Sequence, residues 1–127
     1  MEEKILPAGN YTVIVVGARV EHYPSGSYII ILDLVVTQGE QKYDRCRKLM
    51  FYQDKPEQLA LAKSHFARIG GRLADRPTVD KDAQSLVGNV LSVSVYYTEH
   101  GKQRVMVKSR IGMDDPLNYC KEGNKNV

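Results

Sequence analysis

The order of its patterned segments restricts the folds open to this chain more than any other feature of the sequence. Three runs rich in β-branched residues come first, then one stretch with helical spacing, then two alternating runs. The strand-type runs cover residues 11–20, 27–37, 42–52, 90–98 and 104–111, and the helical stretch lies between Asp54 and Gly70. No internal repeat is visible, which excludes solenoids and propellers.

Details within these segments agree with a small barrel. Gly17 lies inside strand one, where a glycine often marks a bulge that lets one long strand bend. Asp54 can cap the helix, Pro56 suits its first turn, and Gly70 supplies a left-handed stop. Three strands, a helix and a closing hairpin are the order of the OB fold. We therefore predict an all-β, five-stranded OB-fold barrel with a helix between strands three and four.

Apolar periodicity predicts which faces form the core. In strand two one face carries four apolar residues, Ile30, Leu32, Leu34 and Val36. The opposite face is also largely apolar, with Ile29, Ile31 and Val35, so we expect part of it to be covered. The helix has one apolar stripe, made of Leu59, Ala62, Phe66 and Ile69.

Length and composition indicate one domain. The 127 residues are 43% hydrophobic, which suffices for one core without disulfides or metals. We expect an OB-fold domain at 1–113 and a flexible tail at 114–127, which lacks periodicity. The longest aliphatic stretch, such as Ile29 to Leu32, has four residues against about 20 for a membrane helix, so we expect no membrane association. The acidic N-terminus lacks a secretory pattern, which favours a cytoplasmic location.

The residues that could support catalysis or bind a metal are scattered. Cys46 and Cys120 lie far apart without a partner at ligand spacing, and His22, His65 and His100 fall on different segments. No phosphate-binding loop, dinucleotide motif or metalloprotease motif occurs. The sequence therefore predicts no catalytic residue, no metal, no cofactor and no enzymatic activity.

Positive charge is concentrated in two places, although the net charge is only +3. Strand three holds Lys42, Arg45, Arg47 and Lys48 against a single acid, and the closing hairpin holds Lys102, Arg104, Lys108 and Arg110. Even spacing predicts that Arg104, Lys108 and Arg110 share one face. Such clusters can neutralise phosphates, and they can also be the ordinary charges of exposed edge strands.

Aromatic side chains lie close to these charges and can stack bases. Those expected to reach a ligand are Tyr23, Tyr28, Tyr43 and Tyr96. In strand three Tyr43, Arg45 and Arg47 share parity with Phe51, so either a bulge near Lys48 switches faces or the strand is two-faced. We expect Tyr43 and the arginines to face the ligand and Phe51 to be core. The predicted DNA-binding residues are thus Tyr23, Tyr28, Tyr43, Arg45, Arg47, Lys48, Tyr96, Lys102, Arg104, Lys108 and Arg110.

Several short motifs together resemble the DUF669 family of phage-type single-stranded DNA-binding proteins over about residues 5–112. They are Leu6-Pro7-Ala8-Gly9-x-Tyr11, Gly26-Ser27-Tyr28-Ile29, the hairpin from Gly39 to Asp44, the helix after Asp54-x-Pro56, Leu86-Val87-Gly88-Asn89 and Tyr97-x-x-x-Gly101-Lys102-x-Arg104. The resemblance implies an OB fold and binding of single-stranded DNA in phage replication, recombination or repair. It also implies a host cytoplasmic location and partners among replication or recombination proteins.

One departure concerns those partners. Many replication-type single-strand binders end in an acidic tail, whereas this chain ends at 121–127 without an acidic run, which argues against recruitment through such a tail. The competing interpretation is an OB-type protein-interaction or assembly module without a nucleic-acid role. The sequence leaves open homo-oligomerisation, the preference for DNA or RNA, and the site size.

Overall fold

A computed structural model describes residues 6–74 and 78–120. Five antiparallel strands form one curled sheet in the order β3-β2-β1-β4-β5, with α1 between β3 and β4. The elements are β1 Gly9–His22, β2 Tyr28–Val36, β3 Arg45–Tyr52, α1 Pro56–Ile69, α2 Val79–Gln84, β4 Asn89–Tyr97, β5 Gln103–Met113 and α3 Leu117–Cys120. The predicted all-β, OB-like architecture is confirmed, and strand three begins at Arg45 rather than at Lys42.

Strand β1 is the central strand and pairs with both β2 and β4. Its pairing with β2 shifts between Val15 and Gly17, so Val16 is an extra, bulged residue. A Cβ atom on Gly17 would lie 3.3 Å from Asp33 Oδ2, tighter than most such contacts. The predicted bulge at this glycine is confirmed, and it bends the strand so that it serves both halves of the sheet.

The sheet curls far enough for its two end strands to meet. Lys48 Nζ on β3 donates a hydrogen bond of 2.7 Å to the backbone oxygen of Val105 on β5. The interior is filled by apolar side chains from all five strands and from α1 and α2. As predicted, one face of β2 lies in this core, and Ile31 and Val35 on its other face are also buried.

Helix α1 covers one end of the barrel. Its predicted apolar stripe is confirmed, since Ala62, Phe66 and Ile69 are buried and Leu59 packs beside them. The N-cap is Lys55 rather than Asp54. Gly70 ends the helix with φ of 92°, a left-handed conformation that favours glycine.

The chain after β5 is described as far as residue 120. The amide of Asp114 donates to the Gly88 carbonyl oxygen at 2.9 Å, and the Tyr119 hydroxyl donates to Asp114 Oδ2 at 2.8 Å. Residues 121–127 of the predicted flexible tail lie outside the described residues. Within 6–74 and 78–120, none of the helices has the length and apolar character that crossing a membrane requires.

Candidate functional site

The outward face of β3 exposes large apolar side chains next to arginines. Strand β3 alternates without interruption, since its pairing with β2 shows no register shift. The exposed side chains are Arg45, Arg47, Leu49 and Phe51, and the buried ones are Cys46, Met50 and Tyr52. Of the two alternatives for this strand, a bulge near Lys48 or a two-faced strand, the two-faced strand is therefore correct. The expectation that Phe51 lies in the core is wrong. Phe51 is 54% exposed because Tyr52, its neighbour of opposite parity, fills the core instead.

Phe51 is the centre of a small aromatic and apolar surface. Its ring lies 6.2 Å from that of Tyr23, at an interplanar angle of 53°. Tyr23 comes from the connection between β1 and β2 and is itself exposed. Ile29 on β2 stands directly opposite Phe51 in the strand pairing. The sequence prediction placed Tyr23 at a ligand site, and the fold brings it to this surface.

A cleft of about 440 Å³ runs between the outward face of β3 and strand β5. We call it the β3–β5 cleft. It is lined by Ile29, Arg47, Lys48, Leu49, Phe51, Gln103, Arg104 and Val105. Next to it, a shallower depression shares Arg47 and Gln103 with the cleft and extends to Arg45. Three cations of the strand-three cluster, Arg45, Arg47 and Lys48, thus lie in one groove with Arg104 of the closing hairpin, beside an exposed ring.

Two charged groups at the cleft have structural partners. Arg47 Nε lies 3.0 Å from Asp33 Oδ1, which holds its guanidinium over the outward face of β2. Lys48 has inward parity and lies half-buried at the seam between β3 and β5. Burial, followed by the charges of Arg104 and Arg68, lowers the pKa of the Lys48 ammonium. Arg104 and Arg68 thus lie near enough to Lys48 for their positive charges to add to the effect of burial.

Tyr96 continues the exposed surface beyond β5. It is exposed and stands opposite Arg104 in the pairing of β4 with β5. Lys102 lies at the turn between these strands and is exposed, with its amide donating to Thr98 Oγ1. Both residues were predicted as ligand contacts; Tyr96 is the strand partner of Arg104, which lines the cleft, but neither Tyr96 nor Lys102 is itself among the lining residues.

The prediction that Arg104, Lys108 and Arg110 share one face is wrong for Arg110. Strand β5 has two register shifts against β4, and the first makes Lys108 an extra residue without an opposite partner. Beyond this bulge the parity reverses, so Arg110 pairs with buried Leu91. Arg110 Nε donates to Asn89 Oδ1 at 3.3 Å, on the side of α1. Lys108 stays outside, with Nζ 3.0 Å from Asn10 Oδ1.

Two predicted tyrosines lie away from the cleft. Tyr28 is 2% exposed and its ring lies 5.6 Å from that of Tyr52, so the expectation that it projects into a groove is wrong. It follows the parity of the buried residues Ile30 and Leu32. Tyr43 belongs to the β2–β3 loop rather than to β3, with φ of 77° and its amide bonded to the Val36 oxygen. It is not among the residues that line the β3–β5 cleft.

Sequence reasoning missed three residues in this region: Phe51, which lines the β3–β5 cleft, and His65 and Arg68, which line a cavity next to it. Phe51 had a signal, since it shares parity with Arg45 and Arg47. His65 and Arg68 lie one helical turn apart on α1 and reach the same region beside β3. His65 Nδ1 is 2.5 Å from the Tyr52 hydroxyl. No local pattern in the sequence relates these two residues to strand three.

The described residues contain no group of three or more His, Cys, Asp or Glu side chains that could hold a metal ion. Cys46 is a buried free thiol, and burial raises its pKa to about 11, which keeps it in the unreactive protonated form.

A scan against protein-family models finds no match to this chain, and a search of curated proteins finds no similar sequence.

Proposed function

We propose that this protein binds single-stranded DNA along the β3–β5 cleft, largely independently of sequence and without catalysing a reaction. One observation carries the proposal: a half-exposed phenylalanine stands in a groove whose two walls supply arginines, Arg47 from β3 and Arg104 from β5. Arginines neutralise phosphates, and an exposed ring stacks on any base. A single strand offers both groups at once, whereas a duplex hides its base faces.

The location of the cleft adds support. In OB folds, oligonucleotides bind across strands two and three and the loops that join strands one to two and four to five. Phe51 lies on β3, Tyr23 on the first of these loops and Lys102 on the second. The resemblance to the DUF669 family points the same way. A role in phage replication, recombination or repair, in the host cytoplasm, is proposed from that resemblance.

The test is a fluorescence anisotropy titration with labelled oligo-dT, with a duplex and with RNA of the same length, at several salt concentrations. Four cations border the groove, Arg45, Arg47, Lys48 and Arg104. If each neutralises one phosphate, log affinity falls against log salt with a slope of about −3, at about 0.7 per phosphate. The duplex should bind much more weakly. Salt-independent binding, or equal affinity for the duplex, would contradict the proposal.

A second candidate function is an OB-type protein-interaction module. The observation that favours it is the exposed apolar surface formed by Leu49, Phe51 and Met106, because contiguous exposed apolar side chains often mark protein contacts. Under this alternative the arginines are rim charges. Absence of oligonucleotide binding at low salt by the folded protein would favour it over the first.

A further inference from the structure

A second cavity lies at the α1 end of the β3–β5 cleft and has a volume of about 250 Å³. It forms where α1 passes over the seam between β3 and β5. Its lining is Lys48, Leu49, Met50, Phe51, Tyr52, Leu61, His65, Arg68, Ile69, Met106 and Val107. The cavity shares Lys48, Leu49 and Phe51 with the cleft, so a strand lying in the cleft would pass its mouth.

Three basic groups border this cavity, and none of the lining residues is acidic. In the described part of the chain, Lys48, His65 and Arg68 make no ion pair with a carboxylate. Burial, then the charges of Lys48 and Arg68, lowers the pKa of the His65 ring. The lowered pKa keeps the His65 ring neutral at pH 7, so Lys48 and Arg68 are the like charges at this cavity. Their mutual repulsion is relieved when an anion enters.

The walls of the cavity are apolar and partly open to solvent. Leu49 and Phe51 come from β3, Leu61 from α1 and Met106 from β5, and each is about half exposed. At about 250 Å³ the cavity is slightly smaller than the range of about 300–1,000 Å³ typical of sites for drug-sized ligands. A single flat ring between apolar walls, with an anionic group at the mouth, matches both its size and its chemistry.

We propose that this cavity is a nucleotide subsite that takes one base turned out of the bound strand, with the adjoining phosphate on Lys48 and Arg68. The inference rests on the proposed function, because the base belongs to the strand in the β3–β5 cleft. Unstacked bases of single strands are commonly held between aromatic and apolar side chains in this way. The subsite would fix one nucleotide in register while its neighbours stack on the open surface.

The first test fills the cavity. Leu61 is 43% exposed on α1, so Leu61→Trp adds a large ring at the cavity wall with little demand on the core. Binding of oligo-dT should weaken by about tenfold, as expected for the loss of one base contact. Binding of a strand of the same length built from abasic nucleotides, measured at low salt, should not change. Ile111→Trp, at another exposed apolar position that does not line the cavity, is the matched control.

The second test removes the charge at the cavity mouth. Arg68→Gln should reduce the magnitude of the salt slope by about 0.7, since one phosphate contact is lost. Arg72→Gln is the control, because Arg72 is an exposed arginine that follows α1 and does not line this cavity. Thermal melts verify that each variant is folded. If Leu61→Trp does not fold, Met106→Trp fills the cavity from the opposite wall.

The outcomes separate the subsite from the general function. A parent protein that binds no oligonucleotide refutes the proposed function itself. A parent that binds, together with a folded cavity-filling variant that binds oligo-dT equally well, overturns the subsite alone. Equal weakening for oligo-dT and for the abasic strand also overturns it, because the cavity would then contact only the backbone.

Discussion

Replacing Phe51 by alanine tests whether an exposed ring on β3 contributes to binding independently of charge. A phenylalanine side chain carries about 200 Å² of surface, and 54% of Phe51 is exposed. If a base covers all of that exposed area, the contact contributes at most about 2.7 kcal/mol, at about 25 cal/mol per Å². Measured stacking contributions of about 1–3 kcal/mol per base fall in the same range.

We therefore expect Phe51→Ala to raise the dissociation constant for oligo-dT by about 5- to 100-fold. The salt slope should stay unchanged, because a ring carries no phosphate charge. Loss of the buried part of the ring should cost about 2.3 kcal/mol of folding free energy by the same area argument. The assay is the anisotropy titration at three salt concentrations, with a thermal melt of each variant.

Ile111→Ala is the matched control. Ile111 is 55% exposed on β5, nearly the same fraction as Phe51, and it does not line the cleft. Its loss should lower the melting temperature slightly and leave oligonucleotide binding unchanged. A folded Phe51→Ala variant that binds within twofold of the parent would refute the assignment of this ring as a stacking platform.

Four further variants change charged or titratable groups. Asp33→Asn removes the carboxylate that holds Arg47, and the freed guanidinium should tighten oligo-dT binding several-fold in the same titration. Arg104→Gln should reduce the magnitude of the salt slope by up to about 0.7. Arg110→Gln, on the opposite face, should leave binding unchanged and lower the melting temperature. Burial, with two neighbouring cations, holds the pKa of His65 below 6.5, so the unfolded chain takes up a proton first as the pH falls. Stability is then complete above about pH 7 and declines as the pH drops through 6.5, and His65→Gln should flatten that decline in urea unfolding.

Each of these has a distinct contrary result. Weaker binding by Asp33→Asn would mean that the ion pair positions Arg47 for the ligand instead of competing with it. Equal salt slopes for the Arg104 and Arg110 variants would remove the distinction between the two faces of β5. A His65→Gln variant with the parent's stability profile between about pH 5 and 7 would show that other groups control the acid response.

Local periodicity determined most of the fold. Alternation in β2 predicted its core face, helical spacing predicted the buried stripe of α1, and glycines predicted the β1 bulge and the end of the helix. These predictions succeed because strand and helix geometry depends on adjacent residues. The errors at the start of strand three and at the helix cap are local too, since the chain turns at Tyr43 before β3 begins and Lys55, not Asp54, is the N-cap.

The candidate site depended on contacts that no local pattern contains. For β3 the sequence left open a bulge or a two-faced strand, and Phe51 was assigned to the core. The structure has no bulge in the pairing of β3 with β2, and Tyr52 lies in the core instead. Arg110 lies on the opposite face of β5 from the one predicted, because the bulge at Lys108 reverses the alternation of side chains. Nothing in the sequence of β5 marks that bulge. Curling of the sheet joined β3 to β5, and the docking of α1 brought its basic residues to the seam. Sequence spacing determines direction along one element, whereas the cleft and its cavity arise between elements, where long-range packing decides which side chains meet.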